Sequence, residues 1–280
     1  MVLKEAVIYY SSLLKEAKIR NASLETRLLL QHVLNIDNTS FIINNDMLIT
    51  AEQQEQLNNL FSKRAKGIPL AYILNQQFFW KHNFYVNKNV LIPRMDSETL
   101  IQAVLNKVSQ AENPHILEIG IGSGCLLLSL LHEYQNSTGV GVDVSQEALE
   151  VSKINAKNLE VSHRLNLMQS NIFANVVDSF DIIISNPPYI ADTDTEISED
   201  VKTFEPHLAL FAKNNGLFFY QEILKNTHKY LKKNGLIFFE IGYKQKQDVL
   251  NIALNNNYQC LGEFKDMSHK DRVLVFGVAK

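Results

Sequence analysis

The 280-residue sequence has little cysteine, no long apolar run and no excess of positive charge. Its two cysteines, Cys125 and Cys260, are far apart and have no histidine cluster at metal-ligand spacing, which argues against a disulfide framework or a zinc site. We therefore predict no bound metal, and we interpret Cys125 as a small packing residue rather than an activated thiol. No run of about 18 apolar residues occurs, so we expect no membrane-spanning helix.

The charge balance and the N-terminus exclude further classes. The sequence has 27 basic and 30 acidic residues, for a net charge of -3, so it has no overall attraction to a phosphate backbone. Nucleic-acid binding would need a local basic patch. The first residues lack the basic and apolar segments of a signal peptide, so we expect a cytoplasmic protein. Hydrophobic residues make up 46% of the chain, which is enough for a sizeable core.

The first third of the chain is predicted to be helical. Apolar residues recur at steps of three and four over residues 2–70, without a strand pattern. Thr50 and Gln53 form a capping-box pattern that predicts a helix start, and Gly67 predicts its end. Residues 76–93 are rich in aromatic residues and predict a β-hairpin, whose rings we expect to pack in a core rather than to bind bases.

Beyond Pro93, short apolar strands alternate with helical patterns, which indicates an α/β fold with a doubly wound, mostly parallel sheet of seven strands. The predicted strands are 115–119, 138–142, 165–169, 180–185, 236–241, 258–263 and 272–278. The main predicted helices are 98–108, 145–158, 217–232 and 245–256. We divide the chain into an N-terminal helical domain (1–72), a β-hairpin linker (73–95) and a Rossmann-like domain (96–280). Ligands of such a sheet bind beyond the carboxyl ends of its strands.

A glycine loop follows the strand 115–119 and precedes a helical run. The loop has the form G-x-G-x-G rather than the G-x-G-x-x-G of dinucleotide sites, and Glu118 lies directly before it. A carboxylate disfavours a phosphate and favours a cation, so the loop predicts S-adenosylmethionine, which carries an ammonium and a sulfonium and no phosphate. The predicted contacts in this segment are Glu118, Gly120, Ile121, Gly122, Ser123 and Gly124.

Two later strand ends complete the predicted cofactor site. Asp143 ends the second strand about 20 residues beyond the loop, where a carboxylate accepts hydrogen bonds from ribose hydroxyls. The alternative is that Asp143 caps the following helix. Asn171 and Ile172 follow the third strand, where an adenine-binding loop is expected, although ordinary loop residues would fit there equally well.

The tetrapeptide Asn186-Pro187-Pro188-Tyr189 follows the apolar strand 180–185. Two prolines fix φ and remove two N–H donors, and Asn186 is held extended, so that its side-chain oxygen and nearby carbonyls face outward as acceptors. Taken alone, such a turn is most often only a stiff turn. Opposite a methyl donor, fixed acceptors suit an NH2 group, and we also predict that Asn186 contacts the cofactor.

These motifs, in this order, resemble the class I S-adenosylmethionine-dependent methyltransferases. Pro69-Leu70-Ala71-Tyr72-Ile73, Phe79-Trp80, Leu91-Ile92-Pro93-Arg94 and Phe204-Glu205-Pro206 are similar to the HemK/PrmC family of release factor glutamine methyltransferases, and the resemblance covers nearly the whole chain. It implies methylation of the Gly-Gly-Gln glutamine of class-1 peptide-chain release factors. Met95, Ile121 and the pair Asn171-Ile172 depart from the usual family pattern. The adenine contacts are the part that these departures affect most.

The implied reaction depends mainly on positioning, because an amide nitrogen is a poor nucleophile and the methyl sulfonium is a strong electrophile. We expect the Asn186 side-chain oxygen and the Pro187 carbonyl to accept hydrogen bonds from the two amide hydrogens. Pro188 and Tyr189 complete the predicted substrate slot, with the Tyr189 ring as its wall. The predicted catalytic residues are Asn186, Pro187 and Tyr189.

Two other functions remain open from the sequence. An adenine-N6 methyltransferase acting on DNA or RNA would use the same acceptors on a flipped base. Five carboxylates that follow the turn would repel a phosphate backbone, and we expect a protein substrate without direct nucleic-acid binding. A non-catalytic cofactor-binding module is the second alternative. The five are Asp192, Asp194, Glu196, Glu199 and Asp200.

Overall fold

The computed structural model describes residues 1–279 and divides the chain into two compact units, of which the first is Met1–Gln76 and the second begins at Gln77. The first unit contains five helices, α1 (Leu3–Glu16), α2 (Ala22–Leu34), α3 (Asn38–Ile43), α4 (Ala51–Ala65) and α5 (Leu70–Leu74). They bury one apolar cluster, in which the Tyr10 ring stacks on Phe61 with centroids 4.1 Å apart. The predicted helical region is therefore confirmed.

The capping box predicted for α4 is present. The Thr50 hydroxyl accepts a hydrogen bond from the Gln53 backbone N–H at 3.2 Å, and the Gln53 side chain accepts one from the Thr50 N–H at 3.0 Å. Two backbone donors that the helix cannot satisfy are thereby paired, which fixes where α4 begins.

The second unit opens with the hairpin β1 (Gln77–Phe79) and β2 (His82–Phe84), paired antiparallel. Phe79 and Phe84 are buried in the core of this unit, so the prediction that hairpin aromatics pack rather than bind bases is confirmed for these two rings. Phe78 is exposed.

The remaining elements alternate along the chain. They are α6 (Glu98–Lys107), β3 (His115–Ile119), α7 (Cys125–Glu133), β4 (Thr138–Asp143), α8 (Gln146–Asn158), β5 (Leu165–Gln169), β6 (Phe180–Ser185), β7 (Ile190–Ala191), α9 (Glu199–Phe204), β8 (Phe211–Ala212), α10 (Phe218–Thr227), β9 (Leu231–Glu240), α11 (Lys246–Asn255), β10 (Tyr258–Lys265) and β11 (Asp271–Val278). Short 3₁₀ turns lie at Met95–Ser97, Ser162–Arg164 and His207–Ala209.

Seven strands form one sheet in the order β10-β11-β9-β6-β3-β4-β5, and only the pairings of β11 are antiparallel. The predicted doubly wound, mostly parallel sheet is confirmed. Successive residues of β3 enter different clusters: Ile116 packs with α6 and α7, and Leu117 packs with α10 and α11. Neighbouring side chains of a strand point to opposite faces of the sheet, so both faces of this sheet are covered by helices.

The boundary between α10 and β9 was predicted wrongly. The helix expected over 217–232 ends at Thr227, and β9 begins at Leu231 rather than at Leu236. The backbone of Leu231 pairs with Phe180 of β6, and the Tyr230 carbonyl accepts a hydrogen bond from the Phe180 N–H at 2.7 Å. Pairing with a neighbouring strand thus overrides the local helical pattern. The short parallel pair formed by β7, directly after the turn, and β8 was not anticipated either.

Candidate active site

A cavity lies at the carboxyl ends of β3, β4 and β6 and collects most of the predicted site residues. Those that line it are Glu118, Gly120, Ile121, Gly122, Ser123, Asp143, Asn171, Ile172, Asn186, Pro187 and Pro188. Gly124 and Tyr189 are not part of this lining. The segment before α6 also contributes to the wall, through Leu91, Pro93, Arg94 and Ser97 among others. The topology therefore joins strand ends that are more than 60 residues apart in sequence.

Two glycines of the loop leave open space where a side chain would lie. Gly120 and Gly122 have φ angles of +75° and +54°, and a Cβ atom on either would meet no atom within 4 Å. These residues therefore form a cradle whose backbone a ligand can approach closely. Gly124 differs, because its Cβ would lie 2.8 Å from Leu128 Cδ1. It is the N-cap residue of α7, with a φ angle of +80°. Gly124 therefore allows loop and helix to pack closely, and its contact with a cofactor stays a prediction.

Glu118 is buried beneath this loop. One of its oxygens, Oε2, accepts a hydrogen bond from the Leu127 N–H at 2.9 Å. Burial raises its pKa well above the usual value, and the nearby Asp143 acts in the same direction. Two carboxylates in one apolar cavity favour a cationic ligand, which would stabilise their ionised forms.

Asp143 ties the loop to the second strand. Its Oδ2 accepts a hydrogen bond from the Gly122 N–H at 2.9 Å, and its Oδ1 accepts one from the Ser145 N–H at 3.0 Å. The helix cap of α8 is Ser145, whose hydroxyl accepts from the Ala148 N–H. Burial raises the pKa of Asp143. Each carboxylate oxygen has a second lone pair, so Asp143 can accept ribose hydroxyls as well, and that role stays a prediction.

The loop after β5 has an unusual backbone. Ile172 lies in the cavity wall with φ of +54°, a conformation that is rare for a β-branched residue. The Ser170 hydroxyl holds it there by donating to the Ile172 carbonyl at 3.0 Å and accepting from the Asn175 N–H at 3.0 Å. Such strain is found preferentially at ligand sites. The adenine contacts of Asn171 and Ile172 remain a prediction.

The turn after β6 presents Asn186, Pro187 and Pro188 to the cavity, and Tyr189 follows them with its hydroxyl at Glu240. The Tyr189 ring packs against the apolar cluster under α10 and α11, and its hydroxyl donates to Glu240 Oε1 at 3.5 Å. Burial, with the Glu240 charge, raises the pKa of Tyr189. The role of the Tyr189 ring as a wall of the substrate slot stays a prediction.

Two residues outside the turn hold its last carbonyl. The Gln245 side chain donates to the Tyr189 carbonyl at 2.9 Å. Gly216, with φ of +82°, packs so closely that a Cβ would lie 2.1 Å from the same oxygen. Sequence reasoning missed both, since neither lies in a motif with local meaning.

Family models and curated relatives agree on what this chain is similar to. Residues 5–74 match the PrmC N-terminal domain, and residues 94–205 match the methyltransferase small domain. A release factor glutamine methyltransferase of Buchnera aphidicola subsp. Schizaphis graminum is 35% identical, over 95% of this chain and 96% of the relative. A bifunctional methyltransferase of Rickettsia felis is 36% identical over 98% of this chain, which spans only 58% of that relative's length.

The chain belongs to the release factor glutamine methyltransferase family. Among solved structures, a methyltransferase from Pyrococcus furiosus superposes with a TM-score of 0.52 at 16% identity, covering 82% of this chain and 100% of that one. This likeness supports the Rossmann-like fold. The chain spans about half the length of the bifunctional relatives that it matches.

In this member of the release factor glutamine methyltransferase family, two motifs noted in the sequence form a pair. Glu205 is buried and accepts hydrogen bonds from Arg94 Nη2 at 2.5 Å and from the Ile92 N–H at 3.1 Å. The segment before α6 is thereby fastened to the segment after α9, next to the cavity wall. Both motifs were visible in the sequence, but their pairing over 111 residues was not.

The remaining sequence expectations concern absent features. Burial raises the pKa of the Cys125 thiol, which is opposite to the activation of a nucleophile. Within residues 1–279, no three or more His, Cys, Asp or Glu residues gather where they would hold a metal ion. The same residues contain no helix with the length and hydropathy needed to cross a membrane.

Proposed function

We propose that this protein transfers a methyl group from S-adenosylmethionine to the side-chain amide nitrogen of the glutamine in the Gly-Gly-Gln motif of class-1 peptide-chain release factors. The main support is one observation: Asn186 and Pro187 line the same cavity as the glycine loop. A fixed amide oxygen and a proline carbonyl therefore lie beside a site suited to a cationic methyl donor. The substrate follows from the family to which the chain belongs.

The cavity fits S-adenosylmethionine in three respects. Gly120 and Gly122 leave a cradle without side chains, Glu118 places a buried carboxylate for the ammonium, and Asp143 ends the neighbouring strand as a ribose acceptor. We assign the cofactor contacts to Glu118, the loop from Gly120 to Gly124, Asp143, Asn171, Ile172 and Asn186.

In the proposed mechanism the protein positions the amide rather than activating it with a strong base. Bound S-adenosylmethionine supplies an electrophilic methyl group. The Asn186 Oδ1 atom and the Pro187 carbonyl accept hydrogen bonds from the two amide hydrogens, which aims the nitrogen lone pair and stabilises positive charge on that nitrogen. The methylated amide is acidic while it carries the extra proton, so that proton leaves to water.

We further propose that the N-terminal domain, residues 1–72, docks the release factor, with residues 73–95 as a hairpin linker and 96–280 as the methyltransferase domain. Within the first unit, α1 exposes Ile8 and Tyr9, and α3 exposes Ile42 and Ile43. Each pair places two apolar side chains side by side on the surface, where another protein can cover them.

The acidic segment beyond the turn bears on the choice between protein and nucleic acid. Its carboxylates at Asp192, Asp194, Glu196, Glu199 and Asp200 are all exposed, and Glu196 pairs with Lys244 at 2.8 Å. An exposed acidic segment opposes a phosphate backbone, which supports a protein substrate over the adenine-N6 alternative.

Methyl transfer from radiolabelled S-adenosylmethionine tests the proposal. The purified protein is incubated separately with a class-1 release factor, with the same factor carrying Ala for the Gly-Gly-Gln glutamine, and with duplex DNA and RNA. We expect label only on the unaltered factor. Label on a nucleic acid, or equal label on the glutamine variant, would refute the proposed substrate, and no label on any of the four would support a non-catalytic module.

A further inference from the structure

Glu240, at the end of β9, is a buried carboxylate that the reaction described above does not use. It is 1% exposed, and its Oε2 atom is fully buried without a hydrogen-bond partner among residues 1–279. Its other oxygen accepts from the Tyr189 hydroxyl at 3.5 Å. An unpaired buried oxygen is costly, so its retention beside the turn calls for a function.

Ser97 lies between this carboxylate and the turn. Its side chain is buried at the start of α6, and its Oγ atom accepts a hydrogen bond from Asn186 Nδ2 at 3.4 Å. The same hydroxyl faces Glu240 and favours the ionised form of that group. Ser97 is therefore a neighbouring donor that can pair with this carboxylate.

The direction of these hydrogen bonds fixes the Asn186 amide. An ionised carboxylate only accepts, so Ser97 must donate its single proton to Glu240. The Ser97 oxygen then can only accept from Asn186, which requires Nδ2 to face Ser97. The amide oxygen, on the opposite side of the group, is left for the substrate.

We propose that Glu240 is a positioning residue that acts through Ser97 to hold the Asn186 amide with its oxygen towards the substrate amide. This inference rests on the proposed function, in which Asn186 must accept a hydrogen bond. Glu240 also holds the Tyr189 hydroxyl, so both ends of the turn are fixed by one carboxylate. Tyr220 supports the same point of β9 by donating to the Glu240 backbone carbonyl at 2.9 Å.

The protonation of Glu240 should therefore control the amide. Burial raises its pKa to about 7; the Ser97 and Tyr189 hydroxyls and the charge of Arg272 lower it, and the charge of Asp96 raises it. The Tyr220 and Cys125 side chains also face this group. Once protonated, Glu240 can donate to Ser97, which can then donate to the Asn186 oxygen and allow the amide to flip. We expect kcat to fall as the pH decreases below about 7.

The test compares Glu240→Gln with Glu263→Gln, an ion-paired carboxylate on β10 that lies outside the cavity lining. For Glu240→Gln we expect kcat to fall about tenfold at pH 8 and to lose its dependence on pH near 7, without a matching change in KM for the cofactor. Ser97→Ala should lose a similar factor, and Ser97→Thr, which keeps the hydroxyl, should restore most of it. Glu263→Gln should keep the wild-type profile.

A readout without substrate separates this inference from the proposed function. In ¹⁵N NMR spectra of the protein, the Asn186 side-chain NH2 signals, assigned by their loss in Asn186→Ala, should titrate near pH 7 in the wild type and not in Glu240→Gln. An unchanged kcat profile in Glu240→Gln, or Asn186 signals that ignore this substitution, would overturn the inference. If the titration is present but no release factor is methylated, the proposed substrate fails and the positioning role stands.

Discussion

The glycine loop after β3 and the turn after β6 lie on neighbouring parallel strands, yet they are held in different ways. The loop is held by the next strand and by the two helices that follow it: Asp143 accepts from the Gly122 N–H, Leu127 donates to Glu118, and side chains of α8 donate to two loop carbonyls. The turn is fixed from distant segments, by Ser97, Glu240 and Gln245. The half of the site that we propose for the cofactor is thus held by contacts that span up to 32 residues in sequence, and the half that we propose for the substrate by contacts that span 51 to 89 residues.

The largest effect should come from the acceptor itself. Asn186→Ala removes the proposed amide oxygen and should lower kcat by about 10²-fold, as loss of one preorganised hydrogen-bonding group does in other enzymes. Steady-state kinetics with a release factor as substrate measures kcat, and calorimetry measures the affinity for S-adenosylmethionine. Affinity for S-adenosylmethionine should change much less than kcat.

A matched control for this substitution is Asn166→Ala, an exposed residue of β5, which should behave as the wild type. Near-normal turnover of Asn186→Ala would remove the turn from the chemistry and end the proposed division between the two halves.

Next in size is a substitution in the loop. Gly122→Ala places a methyl group in the cradle and strains a backbone with positive φ, so we expect cofactor affinity to fall about tenfold, with kcat at saturation nearly kept. Gly67→Ala, at another positive φ near the end of α4, carries the same kind of strain outside this unit and should leave cofactor binding unchanged. Equal affinities for Gly122→Ala and wild type would show that the cradle does not contact the ligand.

A smaller effect should follow from loosening the turn at a distance. Gln245→Ala removes the hydrogen bond to the Tyr189 carbonyl, and the loss of about 1 kcal/mol in positioning should lower kcat about fivefold. Cofactor affinity, measured by calorimetry, should stay the same. If affinity falls and kcat does not, the turn and the loop are not held independently.

The smallest effect concerns stability and pH. The pKa of Glu240 is raised from 4.5 to about 7, so the folded protein holds this proton more tightly than the unfolded chain does. The stability it contributes is complete below pH 4.5 and is lost as the pH rises through about 7. Between pH 6 and 8, the free energy of unfolding of the wild type should fall by about 1 kcal/mol more than that of Glu240→Gln. Denaturant titration at each pH measures this difference. Parallel curves would mean that Glu240 is not protonated in this range. Over the same range, kcat should rise with pH while the free energy of unfolding falls.

Much of the fold was predictable because its signals are local. The strands 115–119, 165–169 and 180–185 have the predicted bounds, since short apolar runs alternate with helical patterns along the chain. The end of α10 was not, because strand pairing between Leu231 and Phe180 decided it.

The sequence by itself determined the family, the sheet, the acidic glycine loop and the acceptor turn, because each depends on residues that are close in the chain. The tertiary structure alone decided the pairing of Arg94 with Glu205, the closeness of Gly216 to Tyr189 and the hydrogen bond from Asn186 to Ser97. It also brought the Tyr189 hydroxyl to Glu240. The pairing of Arg94 with Glu205 alone joins segments 111 residues apart, and local patterns contain no information about which distant side chains burial will bring together.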